Sequence, residues 1–84
     1  MTNHASAAKR LRRDEKMRKI NHAKKNKMRT LIKKVIKAKE ENSENLKEIT
    51  REAQSWISKC SKWGIIHHNT ASRRVARVFR ISGL

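Results

Sequence analysis

The sequence predicts an all-α protein, a three-helix bundle whose long first helix carries a basic N-terminal half beyond the core. Three observations predict it. Apolar residues recur at helical spacing in three separate stretches. Proline is absent and the only glycines are Gly64 and Gly83, so few breaks interrupt those stretches. Charge is segregated along the chain: residues 1–39 hold 15 basic and 2 acidic side chains, residues 40–63 hold 4 and 5, and residues 64–84 hold 4 arginines and no acid.

The first helix rests on Met28, Leu31, Ile32, Val35 and Ile36, an i, i+3, i+4, i+7, i+8 stripe. Upstream, residues 9–27 contain 10 Lys or Arg, and their apolar residues are Leu11, Met17, Ile20 and Ala23. That is too little apolar surface to enter a bundle, yet Lys, Arg, Ala and Met are good helix formers. One helix is therefore expected from about residue 5 to 39, roughly 52 Å long at 1.5 Å per residue. Its arm, residues 1–24, projects from a bundle of residues 25–84, the whole forming one domain.

A turn is expected in Glu40–Asn45, with Asn42, Ser43 or Asn45 capping the next helix. Asn45 and Glu48 have the spacing of a capping box. Leu46, Ile49, Ala53, Trp56, Ile57 and Cys60 form the second apolar stripe, and Gly64 is placed to stop the helix, with Ile65 making the accompanying apolar contact. A third helix carries Ala71, Val75, Val78 and Phe79 among Arg73, Arg74, Arg77 and Arg80. It starts at Asn69 or nearer His67 and is closed by Gly83. The two shorter helices cover only the second half of the first, and short turns make neighbours antiparallel.

The charge sets the partner class. A formal net charge of +16 on 84 residues points to a polyanion. Lys9, Arg10, Arg12, Arg13, Lys16, Arg18, Lys19, Lys24, Lys25 and Lys27 surround the first helix, as suits a rod inserted between nucleic-acid helices. With about 6–10 phosphate contacts, affinity is expected to fall roughly 10³–10⁵-fold between 50 and 200 mM salt. Arginine forks onto phosphate oxygens, which singles out Arg10, Arg13, Arg73, Arg74 and Arg77. Aromatics are scarce (Trp56, Trp63 and Phe79) and absent from the arm. No stacking platform is expected, and recognition should run through shape and backbone.

Other classes fit poorly. No apolar run approaches a membrane span, and residues 9–27 lack the apolar aromatic face of a membrane-surface helix. One cysteine beside His67 and His68 is not a zinc pattern, so no metal and no cofactor are expected. Cys60 and Trp56 read as core, and Trp63 caps the core or touches RNA. Asp14 and Glu15 pair with Arg10, Arg18 or Lys19 rather than act as catalytic carboxylates, and Glu40, Glu41, Glu44, Glu48 and Glu52 form a solvated face. With no phosphate loop, nucleophile motif or room for a sizeable pocket, an enzyme is not expected. A histone-like DNA-compacting protein remains the alternative. It lacks β-ribbon arms and an intercalating tip.

The block Gly64-Ile65-Ile66-His67-His68-Asn69-Thr70-Ala71-Ser72-Arg73-Arg74, with Arg77 three residues on, resembles the small-subunit ribosomal protein S20 family of bacteria and organelles. Asn3, Ser6, Ala7, Lys9 and Arg10 match its opening pattern, as do Arg29-Thr30-Leu31-Ile32-Lys33-Lys34, so the likeness spans essentially the whole chain. The resemblance implies a three-helix bundle with an extended first helix, acting as a monomer within the small subunit of a cytoplasmic or organellar ribosome. It implies direct binding to 16S rRNA, at the 5′ domain and the long stem near the 3′ end. It adds Asn3, Ser6, Arg29, Lys33, Lys34, His67, His68 and Asn69 to the RNA-facing candidates. His68, Thr70 and Val75 stand where lysine or another polar residue is common, and Trp63 where lysine is usual. The last helix is thus less basic than its relatives', which shifts weight to the arm.

Overall fold

The computed structural model describes residues 2–84, with side chains from residue 6 onward. Three helices follow one another: α1 (Thr2–Glu40), α2 (Leu46–Lys62) and α3 (His68–Ser82). All three pairs of helices are in contact. The Cα extents are 62 × 23 × 14 Å, and the radius of gyration is 17.3 Å. A compact chain of this length has a radius near 12 Å. The excess comes from α1, whose 39 residues give a rod of about 58 Å.

The core is small and takes residues from every helix. Met28, Leu31, Val35, Ala53, Ile57, Cys60, Ala71 and Val78 form one buried cluster, with Ile32, Leu46, Ile49, Trp56, Ile65, Ile66, Val75 and Ile81 packed around it. The stripe expected on α1 is therefore the buried face. The buried polar side chains among the described residues, Thr50 and Ser82, are satisfied within their own helices. The Thr50 hydroxyl donates to the Leu46 carbonyl at 2.7 Å and Ser82 donates to Phe79 at 3.1 Å.

Both turns are closed by a residue in the left-handed region. After α2, Gly64 has φ 74°, its N–H donates to Ser61, and the Ile65 N–H donates to Cys60. This is a Schellman motif, with Ile65 folded onto the core as expected. After α1, Asn42 takes that role with φ 51°: its N–H donates to Lys39, and the Ser43 N–H donates to Ala38. Asn42 thus ends the first helix instead of beginning the second.

The capping box expected at Asn45 does not form. Asn45 flanks α2 with φ −88° and ψ 7° and makes no side-chain cap bond. Those angles are near-helical, whereas an N-cap side chain reaches its N–H groups from an extended backbone. The Ser43 hydroxyl instead accepts the Asn45 N–H at 3.3 Å. At α3 the cap is His67, whose extended backbone lets Nδ1 accept the Asn69 N–H at 3.2 Å. Asn69 is already helical.

Candidate nucleic-acid interface

Every described arm side chain from Ser6 to Ile20 is exposed. That stretch includes Lys9, Arg10, Arg12, Arg13, Lys16, Arg18 and Lys19. Successive residues turn by about 100°, so these seven cations leave no bare arc wider than about 100° around the helix. Phosphates can meet the rod from several directions. Asn3 lies outside the described side chains. One ion pair draws on this charge: Lys19 Nζ lies 3.9 Å from Glu15, with both side chains largely in water. Exposed i, i+4 pairs contribute only a few tenths of a kcal/mol.

The charge continues onto the bundle. Lys27, Arg29, Lys33 and Lys34 are exposed. Helical geometry puts Arg29, Lys33 and Lys34 opposite the Met28–Val35 face. Lys37 extends that outward surface and was not among the sequence candidates, though its spacing of four from Lys33 announces it. On α3, Arg73, Arg77 and Arg80 stand on one exposed stripe opposite Ala71 and Val78, so Arg80 also joins the set. His67, His68 and Asn69 are exposed at the start of that helix. The His67 and His68 rings lie 4.1 Å apart, and His67 is already engaged as the cap.

Arg74 is different. It is partly buried, and its Nη1 reaches the Met28 sulfur at 4.0 Å. It spans α3 and α1 at the edge of the core, leaving fewer of its donors for a phosphate than Arg73 or Arg77 has.

The root of the arm is a built junction. Lys24 and Lys25 are only half-exposed. The Trp56 indole N–H donates to the Lys24 carbonyl at 3.0 Å. Lys27 Nζ sits 4.1 Å from the Trp56 ring centre, and Lys24 Nζ sits 4.0 Å from that of Trp63. Trp56 and Trp63 themselves meet edge to face, with centroids 5.4 Å apart at 76°. Beside this cluster an open cleft separates the Gly64–Ile65 turn from Asp14, Met17, Arg18, Asn21, His22 and Lys25 of α1.

Elsewhere the surface is plain. Glu40, Glu41, Glu44, Glu48 and Glu52 are all exposed. Cys60 is fully buried, and burial pushes its thiol pKa up, against the smaller lowering influence of Lys24 and Arg74. Among the described residues no three His, Cys, Asp or Glu side chains gather where a metal could sit, and no helix is long and apolar enough to cross a membrane.

An all-helical rod-and-bundle with cations around the rod and along two outward faces defines a class: a small basic protein that meets a polyanion along an extended surface. Comparison with known proteins makes the class specific. The chain matches the family model for ribosomal protein S20 over residues 2–81. It is 41% identical over 83 residues to the small ribosomal subunit protein bS20 of Desulforapulum autotrophicum, covering 99% of this chain and 100% of that one. The bS20 proteins of Magnetococcus marinus and Fervidobacterium nodosum are 46% and 45% identical, over 93% of this chain and 86% and 84% of theirs. The chain belongs to the ribosomal protein S20 family.

Proposed function

We infer that this protein is a structural constituent of the small ribosomal subunit that binds 16S rRNA directly, through phosphates and helix shape. The observation that carries the reading is the arm: an exposed helical segment with cations on all sides and no apolar face to bury. A rod of this kind lowers the repulsion between RNA segments lying against its different sides. The bundle, anchored through the Arg73–Arg77–Arg80 stripe, fixes the rod's direction. Together they hold RNA helices in set relative positions during assembly, a task that needs no bond making or breaking.

The finer assignments belong to the same reading. The RNA-facing set is Ser6, Lys9, Arg10, Arg12, Arg13, Lys16, Arg18 and Lys19 on the arm. Lys24, Lys25, Lys27, Arg29, Lys33 and Lys34 continue it along α1, and His67, His68, Asn69, Arg73 and Arg77 on α3 complete it, with Arg74 in a mainly structural position. The division between arm and bundle falls near Lys24, where the Trp56 bond begins the packed region. The RNA elements are the 5′ domain and the long stem near the 3′ end, with one protein copy per subunit.

The test is binding to a 5′-domain transcript at about 150–200 mM salt, where non-specific phosphate contacts are weakened, against excess random RNA and duplex DNA. Binding that survives both competitors supports the reading. Loss to duplex DNA would favour sequence-independent compaction.

A further inference from the structure

We propose that Trp63 is a stacking site for one unpaired base of the bound RNA, at the root of the arm. The proposal rests on the rRNA-binding reading above and adds to it a contact with a base. The sequence, with no aromatic in the arm, predicts no stacking platform. Folding makes one by bringing the end of α2 against Lys24 and Lys27 of α1.

Four observations point to a base as the occupant. Trp63 is 45% exposed, unusual for an indole in a chain with so small a core. Its ring is held in place, because Trp56 meets it edge to face and Trp56 is itself tied to the Lys24 carbonyl. A ring already fixed loses little freedom when a base settles on it. What lies over the Trp63 ring is a lysine ammonium at 4.0 Å. The Lys24 backbone is pinned by the Trp56 bond, but its four-carbon side chain is free to swing, so the ammonium moves from ring to phosphate as the base takes its place. Finally, the next residue opens onto space: a Cβ added at Gly64 would meet nothing within 4 Å. A nucleotide backbone therefore has room to pass beside the ring, along the cleft that Arg18 and Lys25 line. Arg18 and Lys25 in the cleft and Lys24 over the ring outnumber the single carboxylate there, Asp14, which favours a base attached to its phosphate over an uncharged apolar partner.

Two measurements on the full chain test it. The indole emission of the native chain, less that of Trp63→Leu in which Trp56 is alone, is followed as the 5′-domain transcript is added at about 150 mM salt. Quenching that tracks binding is expected. In Trp63→Leu itself, affinity for the transcript should fall between about fivefold and a hundredfold, the range for one base on one aromatic ring. Its salt dependence should stay that of the native chain, because no phosphate contact is lost. Since Trp63 lies at the surface, circular dichroism of Trp63→Leu should match the native protein. Transcript binding with unchanged Trp63 emission, or native affinity in Trp63→Leu, overturns the stacking site and leaves the rRNA reading standing. Failure of the native chain to outbind competitor overturns both. Emission that stays unchanged with the 5′-domain transcript and with the isolated stem from near the 3′ end, but that shifts in the assembled subunit, assigns the ring to another neighbour and likewise overturns it.

Discussion

The indole N–H of Trp56 donates to the main-chain carbonyl of Lys24 across 32 positions of sequence, at 3.0 Å. A carbonyl inside a helix already receives the N–H four residues on, so Trp56 uses its second lone pair. The bond ties α2 to α1 just where buried packing gives way to exposed rod.

Replacing Trp56 by Phe should therefore lower stability by about 1–2 kcal/mol, from the lost hydrogen bond and part of the indole's packing. The Lys24 carbonyl keeps its helical partner, so no orphan acceptor adds to the cost. Urea unfolding measures the change. Hydrogen exchange should show it concentrated near residues 21–28. A uniform loss of protection over the whole chain would deny Trp56 its junction role.

The two left-handed turn residues predict opposite signs. Gly64→Ala should destabilise by about 1 kcal/mol, all of it backbone strain, since the new methyl meets nothing. Asn42→Gly should be neutral or slightly stabilising, because glycine relieves the φ 51° that asparagine only tolerates. Thermal melts of the two variants give the comparison.

Cys60 gives the protein a pH dependence at alkaline pH. Burial raises the pKa of the folded thiol, with Lys24 and Arg74 opposing. In the unfolded chain the thiol titrates near its ordinary value of about 8.5. A raised folded pKa means a contribution fully present below that value and lost as pH rises through the folded one. Unfolding free energy should be flat from neutral pH to about 8 in this respect and decline above it, and Cys60→Ala should remove that decline. Alkylation of the native thiol at neutral pH should be slow until denaturant is added.

Neutralising Arg10, Arg12 and Arg13 to glutamine should leave the melting temperature nearly unchanged, since all three are exposed. It should flatten the slope of log affinity against log salt by about 2–3. A native slope would show that the arm does not carry the phosphate contacts.

Much of this was legible in the residues. The Met28–Leu31–Val35 stripe, the Gly64 stop and the uncovered basic half of α1 follow from local periodicity, positional preference and relative length. Which of Asn42, Ser43 and Asn45 caps α2 is not legible, because a capping box is only a spacing, while Asn42 decides the turn by adopting positive φ, a choice no spacing reveals. Arg74 looked like its neighbours Arg73 and Arg77. Only its place on the flank of α3, facing Met28, separates it. The Trp56–Lys24 bond and the two lysines over the indoles join residues 29 to 39 positions apart, and that proximity exists only once α2 has packed on α1.

RNA should meet the arm on more than one side. Buried Cys60 makes a direct measurement feasible, with Cys60→Ala as a clean background. Lys16 and Arg18 lie about 200° apart around the helix. Each is replaced in turn by cysteine carrying a tethered iron chelate, and hydroxyl-radical cleavage of the small-subunit rRNA is mapped in the assembled particle. Strong cleavage is expected from both positions, on different RNA strands. Cleavage from one position alone, or from both on the same strand, would mean that the arm lies on an RNA surface instead of between RNA helices.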